Sequence, residues 1–158
     1  MKSTTRVKEA AAGAGLDIDI LTMPESTRTA REAASACGCS EAQIVKSLVF
    51  QKKATGELVL LLVAGDRQVD LERAGHAVGG ELERADAKRV REVTGFAIGG
   101  VSPLGHIAPI PIFMDPGLLE HDFVWAAAGA PNAVFRAEPQ RLKTAVSAQL
   151  LPAASCSA

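Results

Sequence analysis

A mixed α+β fold is predicted for this chain of 158 residues from three observations. Helix-favouring and strand-favouring stretches alternate from end to end. Ile44–Phe50 and Leu58–Ala64, joined through Lys52, Lys53, Ala54, Thr55 and Gly56, read as an antiparallel hairpin, which rules out a purely parallel sheet. Both runs are apolar at odd and even positions, so each strand is covered on two faces, either inside a barrel wall or under helices. A chain of this size buries about 68–70% of its unfolded surface around one core, so a single domain over 1–158 is expected.

Taken in order, Thr4–Ala14 is an Ala-rich helix closed by Gly15, and Ile18–Leu21 is a short strand with Asp17 and Asp19 turned outward. After Pro24 a polar run leads into a helix over Ala30–Ala36 that stops near Gly38. Ser40 and Gln43 have capping-box spacing, which marks one helical turn before the hairpin. Asp70 caps a helix from Leu71 to about Val78, ended by Gly79 and Gly80. Asp86 caps another over Ala87–Val93, ended by Gly95. Phe96–Ile98 reads as a short buried strand. Ile110–Met114, Phe123–Ala127 and Ala133–Arg136 are further strands, with Asp115, Pro116 and Gly117 turning between the first two. Pro139 opens a final helix reaching Ala148, and the small, polar tail 152–158 is expected to be disordered.

Composition narrows the function classes. The formal net charge is -1, so no basic field advertises nucleic acid over the whole surface, and DNA is not an expected partner. Aromatic content of 4% leaves small aliphatic side chains to fill the core. Cys37, Cys39 and Cys156 lack the partner spacing of a zinc site and read as reduced thiols. No signal peptide and no apolar run of the ~20 residues that span a bilayer can be found, so a soluble cytoplasmic protein without membrane association is expected. Phosphate-loop, dinucleotide, zinc-protease and nucleophile-elbow motifs are absent, and His76, His106 and His121 are scattered. Lys88, Arg89 and Arg91 make a local basic helix face.

Two features remain. Within GFAIGGVSPLGH, Gly95 to His106, paired glycines remove the Cβ atoms that would shield the backbone, so amides can converge on one oxygen; the plainer alternative is a tight turn. Lys46 lies in a strand apolar on both faces, where an ammonium is costly unless it meets an anion or reaches water at the strand end.

The setting QIVKSLVF around Lys46, followed by TGFAIGGVSPLGH, IPIFMD and VWAAAGAPNAVFRA, resembles the YbaK and prolyl-tRNA synthetase-associated domain family of trans-editing aminoacyl-tRNA deacylases. That resemblance implies a curved mixed sheet closing into a small barrel with helices around it. The reaction it implies is hydrolysis of the ester between a wrong amino acid and the terminal ribose of a tRNA, with no cofactor and no metal. On the family pattern Lys46, Gly99, Gly100 and Ser102 carry the reaction, and Thr27, Ser47, Val101, Pro103 and Gly129 hold substrate. Mischarged aminoacyl-tRNA, and a synthetase such as prolyl-tRNA synthetase, are the implied partners. AGAPNAVFR departs from the block of cysteinyl-directed members. With STRTAREAA over Ser26–Ala34, it resembles branches acting on alanine, serine, threonine or 2-aminobutyrate. A non-catalytic module that binds tRNA ends or a synthetase is the alternative.

Overall fold

The computed structural model describes residues 2–158. Its first helix is α1 (Ser3–Gly13), followed by strand β1 (Ile20–Thr22). Helix α2 (Ala30–Cys37) starts where the Thr29 side chain accepts from the Glu32 amide and ends at left-handed Gly38. Gln43 closes a helical turn by accepting from the Ser40 amide at 3.2 Å. Strands β2 (Val45–Lys52), β3 (Leu58–Ala64) and β4 (Gln68–Val69) follow. Asp70 then accepts from the Glu72 and Arg73 amides at the head of α3 (Leu71–Val78), which Gly79 terminates. β5 (Leu82–Arg84) leads to α4 (Ala87–Thr94), capped by Asp86 and ended by Gly95. After the glycine loop come β6 (Ile112–Met114), β7 (Val124–Ala127), β8 (Ala133–Ala137), α5 (Pro139–Ala145), β9 (Gln149–Leu150) and β10 (Cys156–Ser157).

Several expectations are corrected. Phe96–Ile98 is a turn and not a strand: Phe96 is buried, but Ile98 is 59% exposed, and Gly100 donates back to the Ala97 carbonyl. The first strand begins at Ile20 while Ile18 is buried before it, and the last helix stops at Ala145. Strands β4, β5, β9 and β10 have two or three residues each, too few to show a period of two. The tail is ordered as well. Cys156 and Ser157 pair antiparallel with β4, the Asp70 amide donates to the Ser155 carbonyl at 2.7 Å, and Cys156 is 4% exposed.

The sheets are mixed and open. The larger has the order β5-β2-β3-β6-β9, with β2 antiparallel to β3 and β5, and with β6 parallel to β3 and β9. A second, antiparallel sheet runs β1-β8-β7. Among the described residues they join through one parallel bridge, Ile44 to Trp125, so the barrel implied by the resemblance does not close. Bonds from Gly65 to the Ile44 carbonyl and from Lys52 to the Glu57 carbonyl set the phase of the β2–β3 ladder. Even-numbered residues of β2 therefore bond β3, and Val45, Ser47 and Val49 turn their main-chain groups to the opposite edge. β5 covers that edge only at Phe50–Lys52.

All seven residues of β3 are buried. On one face Leu60, Leu62 and Ala64 pack with Val7 and Ala11 of α1, Phe96, Val101 and Phe135. On the other, Val59, Leu61 and Val63 pack with Ala74 and Val78 of α3 and with Leu151 and Cys156 of the tail. At the end of β3 the fully buried Asp115 accepts from the Ala64 amide at 3.1 Å and the Gly117 amide at 2.9 Å, with Arg67 Nη1 at 3.6 Å. Its charge is thus matched where an unpaired carboxylate would be prohibitive. No helix among the described residues is long and apolar enough to cross a membrane.

Removing the tail after Leu151 is expected to destabilise the fold by about 2 kcal/mol, seen as a Tm lower by roughly 4–8 °C, because Cys156 burial and the β4 pairing are lost together. Unchanged melting would mean that the tail contributes nothing.

Candidate functional site

A cleft of about 710 Å³ opens along the free edge of β2, where the two sheets splay apart from the Ile44–Trp125 bridge. Its floor is Ile44 with β2 from Val45 to Phe50. Trp125, Ala126 and Ala127 of β7 with Val134 of β8 form one wall, Thr27–Ala30 with Ala33 of α2 another, and Ile98, Gly99 and Val101 a third. The approach to α2 is tied to the turn between β7 and β8. Thr27 Oγ1 donates to the Pro131 carbonyl at 2.7 Å, and Asn132 Nδ2 donates to the Met23 carbonyl at 2.9 Å.

Thr27, Lys46, Ser47, Gly99 and Val101 all border this space; Gly100, Ser102, Pro103 and Gly129 do not. Lys46 is half-buried and its ammonium donates to the Arg67 carbonyl, in the turn where Arg67 meets Asp115. A carbonyl, then, is what makes the strand lysine tolerable in the free protein. An ammonium has three donors, and two remain for a ligand. The Ser47 hydroxyl is buried with no hydrogen-bond partner.

The loop's two glycines differ in a way the sequence does not reveal. Gly99 has φ +94° with open space around its missing side chain, whereas Gly100 has an ordinary φ, and a Cβ there would sit 3.7 Å from its nearest neighbours. The Gly100 amide is spent on the Ala97 carbonyl at 2.9 Å, while those of Gly99 and Val101 have no protein acceptor among the described residues. Ser102 is fully buried; its hydroxyl accepts from the Leu104 amide at 3.2 Å and its carbonyl meets His106 Nε2 at 2.7 Å. It therefore shapes the loop from behind. Burial, more than the nearby Arg6 charge, lowers the His106 pKa even though the Ser102 contact favours the cation. Gly129, at φ +91°, is a packing glycine, since a Cβ would lie 2.8 Å from Phe96 Cε1.

Among the lining residues that sequence reasoning missed are Arg28, Arg84 and Trp125. Arg84 ends a three-residue strand and Arg28 lies in a loop, so neither had a periodicity to place it. The basic helix face read from sequence is partly spent internally, because Arg89 donates to the Gly56 carbonyl and Lys88 reaches Glu92 at 4.0 Å.

Among the described residues Arg28, Lys46 and Arg84 line the cleft, and no acidic residue or histidine does. The cleft can hold an anion and stabilise developing negative charge, but it has no ordinary general base. Nor is there a ready thiol nucleophile: burial raises the Cys37 and Cys156 pKa values to about 11 and that of Cys39 upward.

Gly99→Ala is expected to cost about 1–2 kcal/mol through its left-handed backbone, and Gly100→Ala less than about 0.5 kcal/mol. Thermal or denaturant unfolding of the two variants checks this; equal costs would contradict the assigned backbone geometry.

The family model that matches this chain, over residues 24–145, describes an aminoacyl-tRNA editing domain. A solved structure of a candidate trans-editing enzyme for prolyl tRNA synthetase superposes with a TM-score of 0.87 at 46% identity over 95% of both chains. The uncharacterized protein YwhH of Bacillus subtilis is 29% identical over 124 residues, 78% of each protein. The proline–tRNA ligase of Bacillus licheniformis is 36% identical over 91 residues, which are 57% of this chain but 16% of that enzyme.

Proposed function

The chain belongs to the aminoacyl-tRNA editing domain family, and from that premise we propose that it hydrolyses the ester of mischarged aminoacyl-tRNA carrying a small amino acid. One observation carries the reading: among the described residues Lys46, Gly99 and Val101 line a single cleft with Arg28 and Arg84 and no carboxylate, and the amides of Gly99 and Val101 have no protein acceptor. Water adds to the ester carbonyl, the carbonyl oxygen becomes an oxyanion, and collapse expels the ribose oxygen, which takes up the proton lost by water. The products are free amino acid and free tRNA.

An aminoacyl ester is already activated, and the vicinal ribose hydroxyl can deliver or activate the water, so a protein base is not needed. The protein supplies position and charge. Each loop amide aimed at the oxyanion is worth on the order of 10² to 10³ in rate. Lys46 uses its two remaining donors to orient the ester and the terminal ribose. In this reading Thr27 and Ser47 hold the aminoacyl end, while Gly100, Ser102, Pro103 and Gly129 act only through the backbone they shape. The likeness to prolyl-tRNA ligases supports a mischarged tRNA for proline as substrate and prolyl-tRNA synthetase as a partner.

A second reading, a module that holds tRNA ends without turnover, is favoured by the Lys46 contact with the Arg67 carbonyl, which gives the lysine a structural partner. Assaying purified protein against a panel of charged tRNAs separates the two. Retention of tRNA with no release of amino acid from any ester is the result that selects the binding module.

Lys46→Ala should remove most deacylation, about 10²-fold or more in kcat, with circular dichroism unchanged; Lys46→Arg should also be poor, since a planar fork does not replace a compact ammonium. Near-normal turnover in the Ala variant removes Lys46 from the mechanism.

Val45, Val49, Val101 and Ala126 line the cleft with small aliphatic side chains, and in this reading the aminoacyl group lies against them. Esters of alanine, serine, threonine and 2-aminobutyrate should be cleaved well ahead of phenylalanyl and tyrosyl esters on one tRNA body, with correctly charged prolyl-tRNA spared. Differences of one methylene should be modest, about 1–3 kcal/mol. Equal initial rates for alanyl and phenylalanyl esters would sink the small-pocket idea.

A further inference from the structure

Helix α1 lies outside the residues matched by the family model, yet it grips both ends of the loop that forms one wall of the cleft. Arg6 Nη2 donates to the Gly95 carbonyl at 2.9 Å, and its Nε donates to the Gly105 carbonyl at 3.0 Å. Between these bonds the guanidinium carbon stands 4.6 Å from the centroid of the Phe96 ring, a cation–π contact inside the same loop. The two glycines make this approach possible. A Cβ at Gly95 would collide with the guanidinium, and one at Gly105 would lie 3.1 Å from the Arg6 main chain.

The grip has a firm base. Val7, next to Arg6, and Ala11, one turn further along, are fully buried, so α1 cannot shift without opening the core. The loop belongs to no sheet ladder. Internally it has the Gly100 to Ala97 turn, the Ser102 to Leu104 contact and the His106 contact to the Ser102 carbonyl. Its Phe96, Val101 and Leu104 side chains are buried in the core, Thr94 Oγ1 bonds the Phe96 main chain, and just beyond it Ile107 and Ala108 donate to the Thr94 and Val93 carbonyls, so what Arg6 adds is the tie from α1 to both ends. A planar guanidinium can bond two carbonyls at once and stack on a ring; a lysine ammonium cannot reproduce that fork.

The geometry points to Arg6 as a positioning residue for deacylation: by bracketing Gly95–Gly105 it sets the amides of Gly99 and Val101 against the ester, without touching substrate. The assignment of a catalytic effect rests on the deacylase reading above; the bracketing of the loop does not. A misplacement of about 1 Å can cost on the order of 10² in rate, so a loop that loses its tie to α1 should lower kcat strongly.

The test compares Arg6→Gln and Arg6→Lys with the unmodified chain, using amide hydrogen exchange and steady-state deacylation of alanyl-tRNA. With Arg6→Gln, exchange should rise about tenfold or more across Gly95–His106 only, and kcat should fall roughly 10- to 100-fold with KM within about threefold. Arg6→Lys, keeping one bond, should fall between. Added guanidinium at low millimolar concentration should restore part of the activity of Arg6→Ala where equal sodium chloride does not. Unchanged loop exchange in Arg6→Gln overturns the proposal, as does a rise spread evenly through α1 and the core, which would make Arg6 merely structural. If the unmodified chain cleaves no ester while loop exchange responds as expected, the deacylase reading has failed and the bracketing stands.

Discussion

Strand β3 is the constraint on which the other parts depend. It is buried on both faces and hydrogen-bonded on both edges, and a strand in that situation has to be apolar at every position, as Leu58–Ala64 is. Each face demands its own cover. α1, the glycine loop and the second sheet supply one, and α3 with the C-terminal tail supplies the other. The end of β3 is fixed by a buried carboxylate, Asp115, whose acceptors are filled by the Ala64 and Gly117 amides and whose charge is met by Arg67.

The cleft follows from the same strand. Since β3 takes the even-numbered main-chain groups of β2, the odd-numbered groups must look elsewhere, and β5 answers only the last of them. The second sheet touches β2 at one bridge and then diverges. An interrupted closure of this kind leaves a slot in which residues of the floor, Lys46 among them, and Gly99 and Val101 of the loop line a common volume. Where a completed barrel would have buried that edge, the gap makes it available to a ligand.

Chemistry in such a slot has to come from placement. Among the described residues no acidic residue, histidine or cysteine lines the walls; Lys46, Arg28 and Arg84 do, beside Gly99 and Val101, whose amides have no protein acceptor. All of them favour negative charge, which suits the oxyanion of an ester hydrolysis better than a proton abstraction. Arg67 serves twice here, through its guanidinium on Asp115 and its carbonyl on Lys46, so the floor of the cleft and the end of the core are held by one turn.

The sequence alone determined the mixed α+β class, the β2–β3 hairpin and the helices bounded by Asp70 and Gly79 or by Asp86 and Gly95, because each is encoded by neighbours along the chain: caps, left-handed glycines and uninterrupted apolar runs. It also singled out Lys46 and the glycine loop, since an ammonium in an apolar strand and a run without side chains are visible as letters. Only the tertiary structure decided that the sheets stay open, that Ser102 and Gly100 stand behind the loop while Gly99 and Val101 face the cleft, and that Arg28 and Arg84 reach its rim. It likewise decided that the polar tail is clamped to β4 and that Arg6 spans Gly95 and Gly105. These are contacts between residues far apart in the chain, and pairings of two or three residues. No local periodicity records them, and the energy that selects them comes from packing against β3.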